Sequence, residues 1–117
     1  MAARRVILEL GAGNDLHGGD YTKAALRAVA DALHHSSLSL IRTLGLDAEA
    51  MRVEVTIGVQ RPERVDQQAV AAALPHGKVT VRVVKGGLDV ADPTGTDPAV
   101  IASAAIAVRF DALPGPQ

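Results

Sequence analysis

From Arg52 to Val59, Val53, Val55, Ile57 and Val59 alternate without a break with Arg52, Glu54, Thr56 and Gly58. A period of two belongs to a β-strand, because successive side chains point to opposite faces of a sheet. It also fixes the kind of sheet. A strand covered on both faces reads as apolar throughout, whereas this one has a single dry face. Lys78–Val84 repeats the pattern, with Val79, Val81 and Val83 opposed to Lys78, Thr80 and Arg82. In Ala104–Phe110, Ile106, Val108 and Phe110 oppose Ala107 and Arg109. Val6–Leu10 supplies a further strand, with Val6, Leu8 and Leu10 on one side and Ile7 and Glu9 on the other. Such a sheet needs a cover for one face only.

Helices supply that cover. Leu26, Val29 and Leu33, with Ala25 and Ala32, recur at helical spacing, and Lys23, Arg27 and Asp31 lie opposite. Asp20 or Thr22 caps the start by accepting a bond from a free N–H of the first turn. His34-His35-Ser36-Ser37 lowers helix propensity, Leu38–Leu44 is apolar enough to continue or restart the helix, and Gly45 fits its stop. Asp66–Leu74 is a short Ala-rich helix ended by Pro75 and Gly77. Arg61-Pro62-Glu63 is a turn, Lys85-Gly86-Gly87 a bulge or tight turn, and Asp92–Pro98 a polar loop. Ala99–Ala102 is expected as a helical turn.

The order is therefore βαβαββ, and the fold class α/β (α+β). We expect a two-layer sandwich: a four-stranded mixed or antiparallel sheet with helices on one face. Residues 1–111 form a single domain, and 112–117, with Pro-Gly-Pro, a disordered tail. The wet face is expected to carry Glu9, Arg52, Glu54, Thr56, Thr80, Arg82 and Arg109.

Composition narrows the partners. A chain of 117 residues makes one domain and buries about two-thirds of its unfolded surface. With one Phe, one Tyr and no Trp, its core is built of small aliphatic side chains in thin layers. That suits a chain that buries further surface against copies of itself, and mixed charges on the open face would then pair and fix register. A net charge of −1 with no basic patch or aromatic interleaving argues against nucleic acid. The lack of cysteine removes disulfides, thiolate zinc sites and a cysteine nucleophile. The apolar run after Arg4-Arg5 is broken at Glu9, too short for a signal peptide or a membrane span, so a cytoplasmic protein without membrane contact is expected.

Chemistry-bearing groups concentrate in Leu10–Lys23, Leu-Gly-Ala-Gly-Asn-Asp-Leu-His-Gly-Gly-Asp-Tyr-Thr-Lys. Gly11–Gly19 reads as a loop between strand and helix. Gly11-Ala12-Gly13 opens like a dinucleotide fingerprint, but Gly18 lies too far on for G-x-G-x-x-G, and Gly19 stands where a Walker loop has lysine. What remains is a generic anion site of freed backbone N–H groups before a helix, with the structural alternative of a tight turn. Lys23 opposes the helix dipole, which makes sense if it serves an anionic or carbonyl ligand; otherwise it is a solvated lysine. Asp15, His17 and Asp20, with His34 or His35, are close enough in sequence to converge on a metal, yet they match no usual ligand spacing, so neither metal nor cofactor is called for. His17 reads equally as a general base or a hydrogen-bonded loop residue. Ser36 and Ser37 beside the histidines are no nucleophile pair, since helical neighbours point about a hundred degrees apart. Asp92, Thr94, Thr96 and Asp97 lack the EF-hand pattern and read as a turn.

Two resemblances rest on these residues. Gly11, Gly13, Asp15, His17-Gly18, Asp20, Thr22-Lys23-Ala24-Ala25 and Arg27-Ala28, followed by His35, Ser37 and Leu38, resemble the hallmark of a family of short bacterial conserved hypothetical proteins of about this length. That likeness spans almost the whole chain and implies no activity. Over about a third of its length, the chain resembles one repeat unit of the ring-opening amidohydrolases, cyanuric acid hydrolase and barbiturase. Gly13-Asn14 leading to Asp20-Tyr21-Thr22-Lys23 is similar to that family's turn. Its Ser-Gly-Gly nucleophile turn is matched by Lys85-Gly86-Gly87, and its catalytic lysine by Ala12, so the Ser–Lys dyad is missing. Since those enzymes join three similar units around a pseudo-threefold axis, the likeness implies a homotrimer, strands toward the centre and helices outside.

Two functions follow as expectations. In one, a small anionic or carbonyl-rich ligand sits at a subunit interface, held by Gly11, Gly13, Asn14, Gly18, Gly19, Lys23 and Lys85. His17 and Asp15, with Lys23, then orient it or move protons. In the other, the protein is a non-enzymatic structural or regulatory oligomer with no small-molecule substrate.

Overall fold

The computed structural model describes residues 4–34, 50–74 and 77–110. The expected helix over 38–44, its stop at Gly45, the pair His35 and Ser37, and the tail 112–117 lie outside them. The elements run β1 (Arg4–Asp15), α1 (Tyr21–His34), β2 (Met51–Val59), a 3₁₀ turn (Pro62–Arg64), α2 (Gln67–Ala72), β3 (Lys78–Lys85), β4 (Leu88–Val90) and β5 (Ala99–Phe110). They form one five-stranded mixed sheet in the order β1-β5-β2-β3, with the short β4 also paired to β5. The last strand is thus central. It runs antiparallel to both β1 and β2, while β2 and β3 are parallel across α2. Consequently β1, β2 and β3 all end on the same edge of the sheet, where the loops after them gather with the loop before β5.

The mixed two-layer α/β architecture is as the alternation requires, with three differences. Ala99–Ala102 is strand rather than helical turn, because Val100 and Ala102 continue the buried alternation of β5. β4 is an unexpected strand: after β3 the chain crosses the end of β2 and takes its place beside β5, pairing Leu88–Val90 with Ala99–Ile101. The crossing brings Gly86 onto Gly58, where an added Cβ on Gly86 would lie 3.2 Å from the Gly58 Cα. Gly87 has φ +61°, and a Cβ there would meet the Ile101 carbonyl oxygen. Gln60 Nε2 fastens the turn by donating to the carbonyls of Gly86 (3.0 Å) and Gly87 (3.2 Å).

The third difference is in β1, which continues to Asp15 instead of ending at Leu10. Gly11 and Gly13 are strand residues paired with Ala104 and Ala102 of β5. Their missing side chains let α1 press onto the strand. A Cβ on Gly11 would lie 2.4 Å from the Ala32 nitrogen, and one on Gly13 2.2 Å from the Ala28 nitrogen. The helix answers with small residues: Ala24, Ala25, Ala28, Val29 and Ala32 are buried, and the expected Leu26 and Leu33 sit half-buried at the margins of the stripe. Val53, Val55, Ile57, Ile106, Val108 and Phe110 complete the core beneath them. This contact sets which face of β1 is dry. Ile7, Glu9, Gly11, Gly13 and Asp15 share the helix side, so Glu9 is half-buried there rather than on the open face. Leu8 and Leu10 are turned out, 45% and 64% exposed.

Candidate functional site

The loops at the carboxyl end of β1, β2 and β3 assemble two clusters, and a depression opens on the uncovered sheet face. The first cluster is centred on Asp15, the only buried charged side chain among the described residues. One carboxylate oxygen accepts the Asp20 N–H at 2.9 Å. The other lies 3.9 Å from Lys23 Nζ and 3.8 Å from an Arg27 guanidinium nitrogen. Asp20 caps α1, accepting the Lys23 N–H at its side chain (3.0 Å) and the Ala24 N–H at its carbonyl (3.0 Å). A cation near a helix start is thereby explained: Lys23 and Arg27, one turn apart, flank the carboxylate that closes β1. Arg27 also donates to the Asn14 carbonyl (2.7 Å), and the Asp31 carboxylate accepts the Ala12 N–H (2.9 Å). Helix side chains thus satisfy two groups on the outer edge of β1, which no strand covers among the described residues.

The second cluster joins residues far apart in sequence. His17 Nδ1 lies 2.9 Å from Asp97 Oδ2, and Asp97 Oδ1 accepts the Gly18 N–H at 2.7 Å. Gly18 (φ +95°) and Gly19 (φ +60°) take the left-handed backbone that turns this segment. The Gly18 N–H, with His17 second, holds the Asp97 carboxyl below its ordinary pKa. Beside it, the buried Tyr21 donates its hydroxyl to Asp89 of β4, and the Arg64 guanidinium stacks over the Tyr21 ring at 5.4 Å. Burial first, and the bond to Asp89 second, push the Tyr21 hydroxyl pKa up. Thr22 Oγ1 accepts the Asp66 N–H (2.9 Å), so the start of α1 is also tied to the cap of α2.

The depression, about 570 Å³, lies on the open sheet face between β1, β5, β2 and the β3–β4 turn. Leu10, Thr56, Lys85, Gly86, Ser103 and Ala105 contribute to its wall. Its polar groups are two hydroxyls and one ammonium, a set that can hydrogen-bond a carbonyl or balance one negative charge.

The expected ligand-binding residues therefore separate. Gly11 and Gly13 lie in the strand rather than in a loop and give their space to α1, and Gly11 lines the depression together with Lys85. Asp15 is enclosed by Lys23, Arg27 and the Asp20 N–H. His17, Gly18, Gly19 and Lys23 stay together at the exposed loop end, with Asn14 exposed on the strand before it. Lys85 lines a depression that none of His17, Asp15 or Lys23 lines. No group of three or more His, Cys, Asp or Glu side chains placed to hold a metal occurs among the described residues, and His34 is exposed at the end of α1. Asp97, Asp89, Thr56 and Ser103 were not expected as site residues. Alternation puts Thr56 on the open face and Asp97 belongs to the polar turn, but no spacing marks the neighbours that tertiary pairing brings to these four.

Fold and site together define a mixed two-layer α/β fold whose second sheet face is uncovered among the described residues, with a polar loop end. The chain belongs to the conserved hypothetical protein family Lin0512_fam, whose model matches residues 5–108. It is also similar to the crystal structure of an FtsZ-like protein of unknown function from Nostoc punctiforme: TM-score 0.84 and 38% identity, covering 96% of this chain and 99% of that one. No curated protein matches. No helix among the described residues is long and apolar enough to cross a membrane.

Proposed function

We propose that the protein is a homotrimer that binds a small anionic or carbonyl-rich ligand where copies meet on the open sheet face. The observation that carries this reading is the character of that face. Leu8 and Leu10 of β1 and Leu88 and Val90 of β4 are large, apolar and exposed, and the depression with Lys85, Thr56 and Ser103 lies among them. A bare apolar sheet face is costly in water, and a second copy of the same chain is the surface always present to cover it. Covering it would turn an open depression into a closed pocket, where one ammonium and two hydroxyls act at lower dielectric. The threefold arrangement follows the resemblance to a single amidohydrolase repeat. The Ser–Lys dyad of those enzymes has no counterpart here: the matching positions are Lys85, at the end of β3, and Ala12, exposed on β1.

Light scattering after size exclusion tests the assembly. Wild type is expected at three times the chain mass and Leu10→Asp at one; a monomeric wild type at micromolar concentration sinks the reading. For the ligand, a thermal-shift screen with small carboxylates and cyclic imides should raise the melting temperature of wild type and leave Lys85→Ala unmoved. A second reading, a structural or regulatory oligomer without a substrate, draws on the β3–β4 turn, whose glycines are accounted for by the crossing over β2. It predicts that Lys85→Ala assembles normally and that no compound shifts either protein.

A further inference from the structure

The contact between His17 and Asp97 joins loops 80 positions apart. Its geometry constrains the imidazole. An ionised carboxylate only accepts hydrogen bonds, so a neutral His17 meets Asp97 through Nδ1–H. A carboxyl at or below its ordinary pKa, as Asp97 is, is ionised at neutral pH. The side chain of His17 is 86% exposed, so Nε2 is open to solvent. Asp97 is itself fixed by the Gly18 N–H on its other oxygen, and the left-handed Gly18 and Gly19 set the direction of the loop. The result is an imidazole with one nitrogen occupied, its tautomer chosen and its second nitrogen presented outward.

We infer that His17 and Asp97 form a working base, with Asp97 the positioning residue and Nε2 of His17 the reactive atom, directed at an electrophilic carbonyl compound. The pair lies apart from the depression with Lys85, so it acts on a substrate of its own, whose class is set by what a water-activating imidazole can attack; it belongs to one copy and needs no interface. In the step, Nε2 takes a proton from water as the water oxygen bonds to the carbonyl carbon. The imidazolium, its Nδ1–H still held by Asp97, returns that proton to the leaving oxygen or nitrogen as the bond to carbon breaks.

The substitution Asp97→Asn separates this role from a merely structural one. Its amide oxygen can still accept the Gly18 N–H, so the loops stay joined. Its amide nitrogen, however, donates to Nδ1 and leaves the proton on Nε2, which removes the lone pair. Nitrogen NMR of the imidazole should show the Nδ1–H tautomer for His17 in wild type and the Nε2–H tautomer in Asp97→Asn. Carbethoxylation of His17 by diethyl pyrocarbonate at neutral pH, identified against His17→Gln, should slow by about tenfold or more in Asp97→Asn. A wild-type His17 carrying its proton on Nε2, or equal carbethoxylation rates in the two proteins, overturns the inference. If Asp97→Asn fails to fold, the wild-type tautomer decides alone. Neither measurement depends on assembly or on Lys85, so failure here is distinguishable from failure of the interface reading.

Discussion

Two pairs of glycines a few residues apart do opposite work. Gly11 and Gly13 lie in extended backbone inside β1, where any residue could adopt the conformation but none with a Cβ would fit beneath α1. Gly18 and Gly19 lie in the loop, where space is ample, with nothing within 4 Å of a Cβ on Gly19, but φ is +95° and +60°. One pair is required by packing and the other by torsion. The first holds the two layers together, and the second points His17 toward Asp97.

Substitutions should separate these roles by size of effect. Gly13→Ala places a methyl group against helix backbone, which cannot swing aside as a side chain can, and is expected to cost about 3 kcal/mol in urea unfolding. A loss as small as that of an exposed-loop glycine would show that α1 rides freely on β1. Asp15→Ala comes next. It leaves the Asp20 N–H without its acceptor and removes the counter-charge of Lys23 and Arg27, an expected loss of about 2 kcal/mol. Gly19→Ala has no clash to relieve and only left-handed strain to bear, about 1 kcal/mol by thermal melting. If Gly19→Ala proved costlier than Gly13→Ala, the division between packing and torsion would fail.

The smallest expected effect is a pH dependence at the loop end. The folded-state pKa of Asp97 lies below its unfolded value, so between the two the unfolded chain binds more protons. Its contribution is present above about pH 4 and is lost as pH falls through the lower, folded value. Asp92, lowered mainly by the Thr94 hydroxyl, behaves the same way. Asp97→Ala should therefore narrow the fall in melting temperature between neutral and acidic buffer, while Gly13→Ala lowers the whole curve without reshaping it.

Much of the fold is legible in the order of residues along the chain. The alternation in Arg52–Val59, Lys78–Val84 and Ile106–Phe110 dictates strands with one dry face, since parity along a strand is a local property. The Asp20 cap is legible for the same reason, and Asp66, read as the first residue of its helix, proves to be that helix's cap: each satisfies N–H groups within three residues of itself. β1 shows where such reading stops. Val6, Leu8 and Leu10 alternate as cleanly as any core, yet Leu8 and Leu10 face outward. A strand with apolar residues in both registers does not name its inner face, and close approach to the alanines of α1 decides it through Gly11 and Gly13.

The local sequence thus determined elements, caps and the single covered face, because each depends on residues within a turn or a strand of one another. Tertiary structure alone decided the central place of β5, the insertion of β4 beside it, the outward turn of Leu8 and Leu10, and the meeting of His17 with Asp97. Those depend on contacts between distant segments. Their outcome is set by excluded volume at a helix–sheet contact and by hydrogen bonds across loops, and neither leaves a period or a spacing in the chain.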